Sequence, residues 1–119
     1  MNYSTLLIEK KEKVGTITFN RPDKLNALSA LAFQEFITAL HEVDQDDEIR
    51  VVIVTGAGRA FSAGLDLEEA KQGPSEFDLQ ATPIQDSLPW IPQIMRNMKK
   101  PIIAAVNGPV SVDPPHAWV

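Results

Sequence analysis

The chain has 119 residues, 44% hydrophobic and 23% charged, with 11 Lys+Arg against 16 Asp+Glu and a formal charge of −5. This is the composition of an ordinary soluble domain, and at such a length about two-thirds of the unfolded surface can be buried, enough for one core. The lack of cysteine excludes a disulfide framework, a thiolate nucleophile and a Cys-ligated zinc site. The acidic balance leaves no basic surplus for a phosphate backbone, so no nucleic-acid partner is expected. No apolar run approaches the roughly 20 residues of a membrane span, and Met1-Asn2-Tyr3-Ser4 does not open a secretory signal. No membrane partner and a cytoplasmic or similarly reducing location are therefore expected. His41 and His116 are the only histidines, so no His-rich metal site is expected either.

Residues 6–9 and Val14–Phe19 read as β-strands separated by the charged stretch 10–13. In the second, Ile17 and Phe19 share one face while Thr16 and Thr18 take the other, as in an antiparallel pair with one buried face. Asn20-Arg21-Pro22-Asp23 stops it. From Ser29, a plausible N-cap, Phe33, Phe36, Ile37, Leu40 and Val43 follow a helical period. Asp44, Asp46, Asp47 and Glu48 would sit badly at a helix C-terminus and are assigned to the next loop as a solvated acidic corner. Their spacing does not fit a calcium loop.

Val51-Val52-Ile53-Val54 is apolar throughout, the pattern of a central parallel strand buried on both faces, and Thr55-Gly56-Ala57-Gly58 ends it. Asp66-Leu67-Glu68-Glu69 resembles a helix start, and residues 73–83 read as a polar loop. Leu88, Ile91, Met95 and Met98 repeat at helical spacing, with Pro89 and Pro92 confining the helix to begin near them. Trp90 either caps that core or lines a pocket. Pro101-Ile102-Ile103-Ala104-Ala105-Val106 is a second apolar strand, closed by Asn107-Gly108-Pro109. The order β-β-α-β-α-α-β predicts a layered α/β architecture, first antiparallel and then parallel.

The segment Gly58-Arg59-Ala60-Phe61-Ser62-Ala63-Gly64-Leu65-Asp66 follows a buried strand and opens a helix. Small residues at Ser62, Ala63 and Gly64 permit close backbone approach, and the amides of Leu65 and Asp66 would stabilise a phosphate or a developing oxyanion. A dinucleotide loop fails because Phe61 stands at the third glycine, and no Gly-Lys-Ser/Thr forms a phosphate loop. Ser62 as a nucleophile lacks a nearby base and the G-x-S-x-G setting. Glu68 and Glu69 are adjacent and diverge on a helix, so they suit a solvated first turn better than a shared site.

Four segments carry a resemblance. Asn20-Arg21-Pro22-Asp23-Lys24-Leu25-Asn26-Ala27-Leu28, Val51-Val52-Ile53-Val54-Thr55-Gly56, Phe61-Ser62-Ala63-Gly64-Leu65-Asp66-Leu67 and Lys100-Pro101-Ile102-Ile103-Ala104-Ala105-Val106-Asn107-Gly108 resemble the enoyl-CoA hydratase/isomerase (crotonase) family. The resemblance covers residues 6–109, and residues 1–109 are accordingly expected to form the N-terminal part of a crotonase-like domain. It implies a crotonase-like (ClpP/crotonase) spiral of β-β-α units, incomplete here, and in the family a trimer or hexamer. It implies an acyl-CoA thioester as substrate, with coenzyme A part of that substrate and no separate cofactor. By the match, the Leu65 N–H would bind the thioester oxygen. Ala63 would face the adenine end of coenzyme A, Gly64 would permit close approach, and Asp66 would cap the helix. Lys24 would lie near phosphate, within a Lys24-to-Ala27 contact segment.

Residues 110–119 depart from the family as a divergent tail. Asp113 stands where a small oxyanion residue is expected, Pro114 and Pro115 oppose the following helix, and His116 falls near a catalytic glutamate position. The chain thus resembles the front part of a family member with an altered end. It is expected to be an acyl-CoA-processing enzyme of hydratase or isomerase type in weakly active or inactive form. The alternative is a non-catalytic acyl-CoA-binding or interaction module.

Overall fold

A computed structural model describes residues 3–64 and 84–110, with backbone alone for 84–90. Four strands form one sheet in the order β1-β2-β3-β4: β1 Leu6–Lys11, β2 Val14–Phe19, β3 Val51–Gly56 and β4 Ile102–Ala104. β1 pairs antiparallel with β2, and β2–β3 and β3–β4 are parallel, as the element order predicts. Helices α1 (Ala30–Gln45) and α2 (Ile84–Asn97) complete the described elements, with a short 3-10 turn at Pro22–Lys24.

The first hairpin is tighter than the sequence suggests. Lys10 and Lys11 belong to β1, and only Glu12 and Lys13 remain as the turn, at φ 52° and 69°. Positive φ at both central residues matches the right-handed twist of the flanking strands, so a two-residue loop suffices. The exposed charges of 10–13 report solvent contact along an edge strand and not a break in it.

Ile17, Phe19, Val52 and Val54 point to one face of the sheet, where Phe36, Ala39, Leu40 and Val43 of α1 cover them. Full burial of each large apolar side chain is worth about 1.5–3 kcal/mol. The Phe19 ring meets Phe36 edge-on at 5.2 Å and Phe61 at 5.7 Å. Ile91, Ile94 and Met95 of α2 pack against the same cluster. The opposite face differs from expectation. Val51, Ile53 and Thr55 are half-buried, so the buried side chains of β3 are those on the helix-covered face, and in β4 Ile102 is partly buried while Ile103, 53% exposed, and Ala104 are open. Continuous apolar patterning marks two faces that avoid water, but both described helices lie on one of them. β4 also stops at Ala104, short of the apolar run through Val106.

Ser29 caps α1 as expected, its Oγ accepting the Ala32 N–H at 3.1 Å. Asp44, assigned to a loop by its charge, lies inside α1. Its cost at a helix C-terminus is offset from outside, because Lys100 Nζ donates to the Val43 and Asp46 carbonyls and the Asp44 carboxylate takes the Lys99 N–H at 2.9 Å. α2 starts at Ile84, ahead of Pro89 and Pro92, which therefore sit in its interior. An interior proline costs about 3 kcal/mol or more; Ile91, Ile94 and Met95 of the same helix are partly buried against the core cluster. The expected helix start at Asp66 and loop at 73–83 lie outside the described residues.

Near the N-terminus, Glu35 of α1 accepts from Ser4 N–H at 2.9 Å, Thr5 N–H at 2.7 Å and Thr5 Oγ at 2.6 Å. Burial pushes the Glu35 carboxyl up, but these three donors outweigh it and hold it below its ordinary value. A carboxyl depressed in the folded state stabilises above its unfolded pKa of about 4.3, and that contribution fades as pH falls through the folded value. Glu35→Gln should cost about 1 kcal/mol at pH 7, a figure kept small because the group is partly solvated. The difference between parent and variant should shrink toward pH 3. Urea melts at pH 7, 4 and 3 measure both, and a pH-independent difference would refute the assignment.

Candidate active site

β2, β3 and β4 run parallel, and in register Phe19 faces Gly56 while Val54 faces Ala104. Their carboxyl ends therefore open on one side, the side where parallel α/β sheets gather ligand-binding loops. Three loops meet there: residues 20–28 after β2, 57–64 after β3 and 105–110 after β4. The Ala57 N–H donates to Phe19 O at 2.8 Å, Phe61 N–H to Pro109 O at 3.0 Å and Ala63 N–H to Leu25 O at 2.9 Å. Ser62 pairs with Val110 in an isolated parallel bridge, so the first residue of the expected tail is tied to the turn.

Two asparagine side chains fasten the loops together. Asn26, only 1% exposed, accepts the Arg21 N–H through Oδ1 at 2.7 Å, and its Nδ2 donates to Ala57 O and Ala60 O, each at 2.9 Å. From the other side, Asn107 Oδ1 accepts the Gly56 N–H at 3.1 Å, and its Nδ2 donates to Gly58 O at 3.1 Å and Ala60 O at 3.3 Å. Thr55 Oγ adds a bond to Ala105 O at 2.8 Å. Gly64 takes φ +84°, a region closed to most side chains, and its N–H donates to Ser62 Oγ at 3.1 Å. Ser62 is buried and donates its hydroxyl hydrogen to Asn26 O at 3.0 Å. The hydroxyl is thus a loop fastener, and His41 sits exposed on α1.

Of the residues singled out from the sequence, Lys24, Ala27, Ala63 and Gly64 come together. Lys24 is exposed at the end of the 3-10 turn, and its carbonyl receives the Ala27 N–H at 3.0 Å. The Ala27 carbonyl takes Arg21 Nη1 at 2.6 Å. The Gly64 carbonyl takes the Leu28 N–H at 2.6 Å. Both polar groups of Gly64 are thus engaged within the chain. Leu65 and Asp66 lie outside the described residues. In the sequence, neither asparagine shows a role of its own: Asn107 only closes an apolar strand, and Asn26 only lies within a segment resembling the family. Their signal was an Asn-Gly pair closing an apolar strand and an asparagine between two apolar residues after a proline turn.

Ser62 and Val110 line two cavities. One, of about 210 Å³, lies among Leu25, Arg59, Ala60, Ala63 and Pro109. The other, of about 400 Å³, is walled by apolar groups including Phe19, Phe33, Phe36, Phe61 and Met95. Among the described residues, no three His, Cys, Asp or Glu side chains group to hold a metal ion, and no helix is long and apolar enough to cross a membrane.

A mixed sheet with helices on one face, whose loops converge at the carboxyl ends of its parallel strands, is an α/β fold. Comparison with known proteins makes the class specific. A family model described as enoyl-CoA hydratase/isomerase matches residues 9–111, and the chain belongs to that family. It is 40% identical over 109 residues to a probable enoyl-CoA hydratase of Rhizobium meliloti, covering 91% of this chain and 40% of that protein. It is 39% identical over 107 residues to 4-chlorobenzoyl coenzyme A dehalogenase-2 of Arthrobacter sp, covering 86% of this chain and 37% of that one. An enoyl-CoA hydratase/isomerase crystal structure from Mycobacterium paratuberculosis superposes with TM-score 0.79 at 33% identity, covering 92% of this chain and 44% of the other. The fold is thus crotonase-like, and the chain spans about two-fifths of the length of these relatives.

Gly108 completes the clamp. A Cβ there would overlap the Arg59 carbonyl, which is backbone and has nowhere to retreat. Gly108→Ala should therefore destabilise the fold by about 2 kcal/mol. Chemical denaturation measures this, and unchanged stability would show that the two loops are not in contact.

Proposed function

We propose that this chain belongs to an enzyme that processes acyl-CoA thioesters through an enolate-like intermediate, and that it supplies the first half of the carbonyl-binding site. The observation that carries the reading is the fixed Ser62-Ala63-Gly64 turn at the carboxyl end of β3, in a chain of the enoyl-CoA hydratase/isomerase family. By the family match, the Leu65 N–H, next in the chain, would polarise the thioester oxygen, and Asp66 would serve as a helix cap beside it. Gly64 lets the thioester approach. Ala63 and Ala27 offer backbone to coenzyme A, and Lys24 attracts its phosphates. The apolar cavity suits a hydrocarbon acyl group. Coenzyme A enters as part of the substrate, and no further cofactor is required. Hydration or isomerisation of a 2-enoyl thioester is the reaction class. Trimeric or hexameric assembly and fatty-acid metabolism belong to the same reading and rest on the family resemblance, whereas the cytoplasmic location is proposed from the composition and the N-terminal residues.

A second reading, an acyl-CoA-binding or interaction module without turnover, is favoured by Asp113-Pro114-Pro115. A carboxylate at the position of a second oxyanion donor repels an enolate, and the prolines lack N–H groups. Loss of an oxyanion donor costs about 10²–10³-fold in rate, so the 119-residue polypeptide is expected to bind crotonyl-CoA with little or no hydration.

Calorimetry with crotonyl-CoA and a hydratase assay on the same sample separate the two. Leu65→Pro removes the N–H, whereas Leu65→Ala keeps it. The proline variant should bind more weakly by about 1–3 kcal/mol, with circular dichroism confirming that both fold. Equal affinities, or no binding by the parent, would overturn the acyl-CoA reading. Turnover at an ordinary enzymatic rate would overturn the module.

A further inference from the structure

We infer that the outer edge of β4 is a pairing surface for a second copy of this chain, joined antiparallel about a two-fold axis at Ile103. This pairing is independent of the acyl-CoA reading above.

Hydrogen-bond parity fixes which backbone groups the edge presents. The Val52 N–H donates to Pro101 O at 2.9 Å, and the Ala105 N–H donates to Val54 O at 2.8 Å. In a parallel pair, alternate residues of one strand bond to the same neighbour. Pro101, Ile103 and Ala105 therefore turn their polar backbone groups to β3, whereas Ile102 and Ala104 turn theirs outward. Among the described residues, no strand pairs with that outward side. Pro101, which has no N–H, faces inward and leaves no gap in the outward row.

The two edges of the sheet are unlike. β1 carries Glu9, Lys10 and Lys11, all exposed, and Lys10 bridges to Asp46 and Glu48. Such charges discourage a further strand from adding to an edge. Residues 101–106, at the opposite edge, carry no charge. Ile103 is 53% exposed and Val106 55%, and Ala104 and Ala105 between them are exposed too.

Self-complementarity selects the partner. With the axis at Ile103, Ile102 lies opposite the partner's Ala104, and Ala104 opposite the partner's Ile102. All four are outward residues, so each pair exchanges both of its hydrogen bonds. Ile103 then meets its own copy in a non-hydrogen-bonded pair, where side chains approach most closely, and each isoleucine covers the other. Neither strand brings a charge to the contact, so identical edges meet without local repulsion although the whole chain carries −5. An edge this short buries less than the roughly 1,200 Å² of a lasting interface, so the association is weak and shows at about 0.5 mM protein.

The test uses the 119-residue polypeptide, and sedimentation equilibrium measures its mass against concentration. A monomer–dimer equilibrium is expected. Ala104→Pro deletes an outward N–H and keeps the bonds to β3, so the folded variant should remain monomeric. Ile103→Lys sets like charges face to face on the axis and should do the same. Circular dichroism confirms the folding of both. The chain has no cysteine, which permits a position-specific check. Opposed residues of a non-hydrogen-bonded pair have Cα atoms about 4.5 Å apart, within the reach of a disulfide. Under mild oxidation Ile103→Cys should cross-link about tenfold or more faster than Leu7→Cys, an exposed control at the β1 edge. A parent that stays monomeric overturns the pairing and leaves the edge to a strand of another polypeptide. Open-ended oligomers, a dimer that persists in the folded variants, or equal cross-linking at both cysteines also overturn it. Should neither Ala104→Pro nor Ile103→Lys fold, the cross-linking comparison decides alone.

Discussion

The carbonyl of Ala60 is the point on which the arrangement of this chain turns. It accepts from Asn26 after β2 and from Asn107 after β4, while lying itself in the loop after β3. Three parallel strands are joined at their carboxyl ends through one backbone oxygen. Both amides are neutral, and each also accepts a main-chain N–H, so nothing polar is left unsatisfied and no charge has to be desolvated. Around this point, side chains must be absent. Gly108 presses against the Arg59 carbonyl, and Gly64 adopts a left-handed conformation at the end of the turn.

The packing below that point is one-sided. α1 and α2 share the face carrying Ile17, Phe19, Val52 and Val54, and this layer forms the core. The other face presents Ile53, half-buried, and Ile103, largely exposed. Chains of this family extend well beyond the portion matched here, which is about two-fifths of the relatives. The apolar pattern of β3 and β4 is thus written for two covered faces, although only one is covered by described elements of this chain. The two parts of the sheet differ in what they bring together: the helix-covered face supplies burial, and the carboxyl ends of the parallel strands join three loops by hydrogen bonds.

Much of the fold was legible in the sequence because it depends on local periodicity. The alternation of Ile17 and Phe19 with Thr16 and Thr18, and the helical spacing of Phe33, Phe36, Leu40 and Val43, each name an element and its buried side. Ser29 was legible as a cap because its chemistry is local. Misreadings arose where a partner distant in sequence altered the local balance. Asp44 looked out of place in a helix until Lys100 supplied the missing cation. Pro89 and Pro92 looked like a helix start, but the helix begins at Ile84 and carries both in its interior, with Ile91, Ile94 and Met95 packed against the core.

The sequence by itself determined the order of the described strands and helices, the parallel character of the later strands, the family resemblance and the small-residue turn at Ser62, Ala63 and Gly64. These follow from hydrophobic period, turn chemistry and residue size, all of which act between near neighbours. Only the tertiary structure decided what holds that turn. Neither Asn26 nor Asn107 can be assigned a role from its neighbours, because each side chain bonds to carbonyls supplied by another loop. Lys24, Ala27, Ala63 and Gly64 became one place in the same way, when parallel pairing of β2 with β3 brought two loop ends side by side. Hydrogen-bond direction depends on the relative position of distant backbone segments, and that position exists only once the sheet has formed.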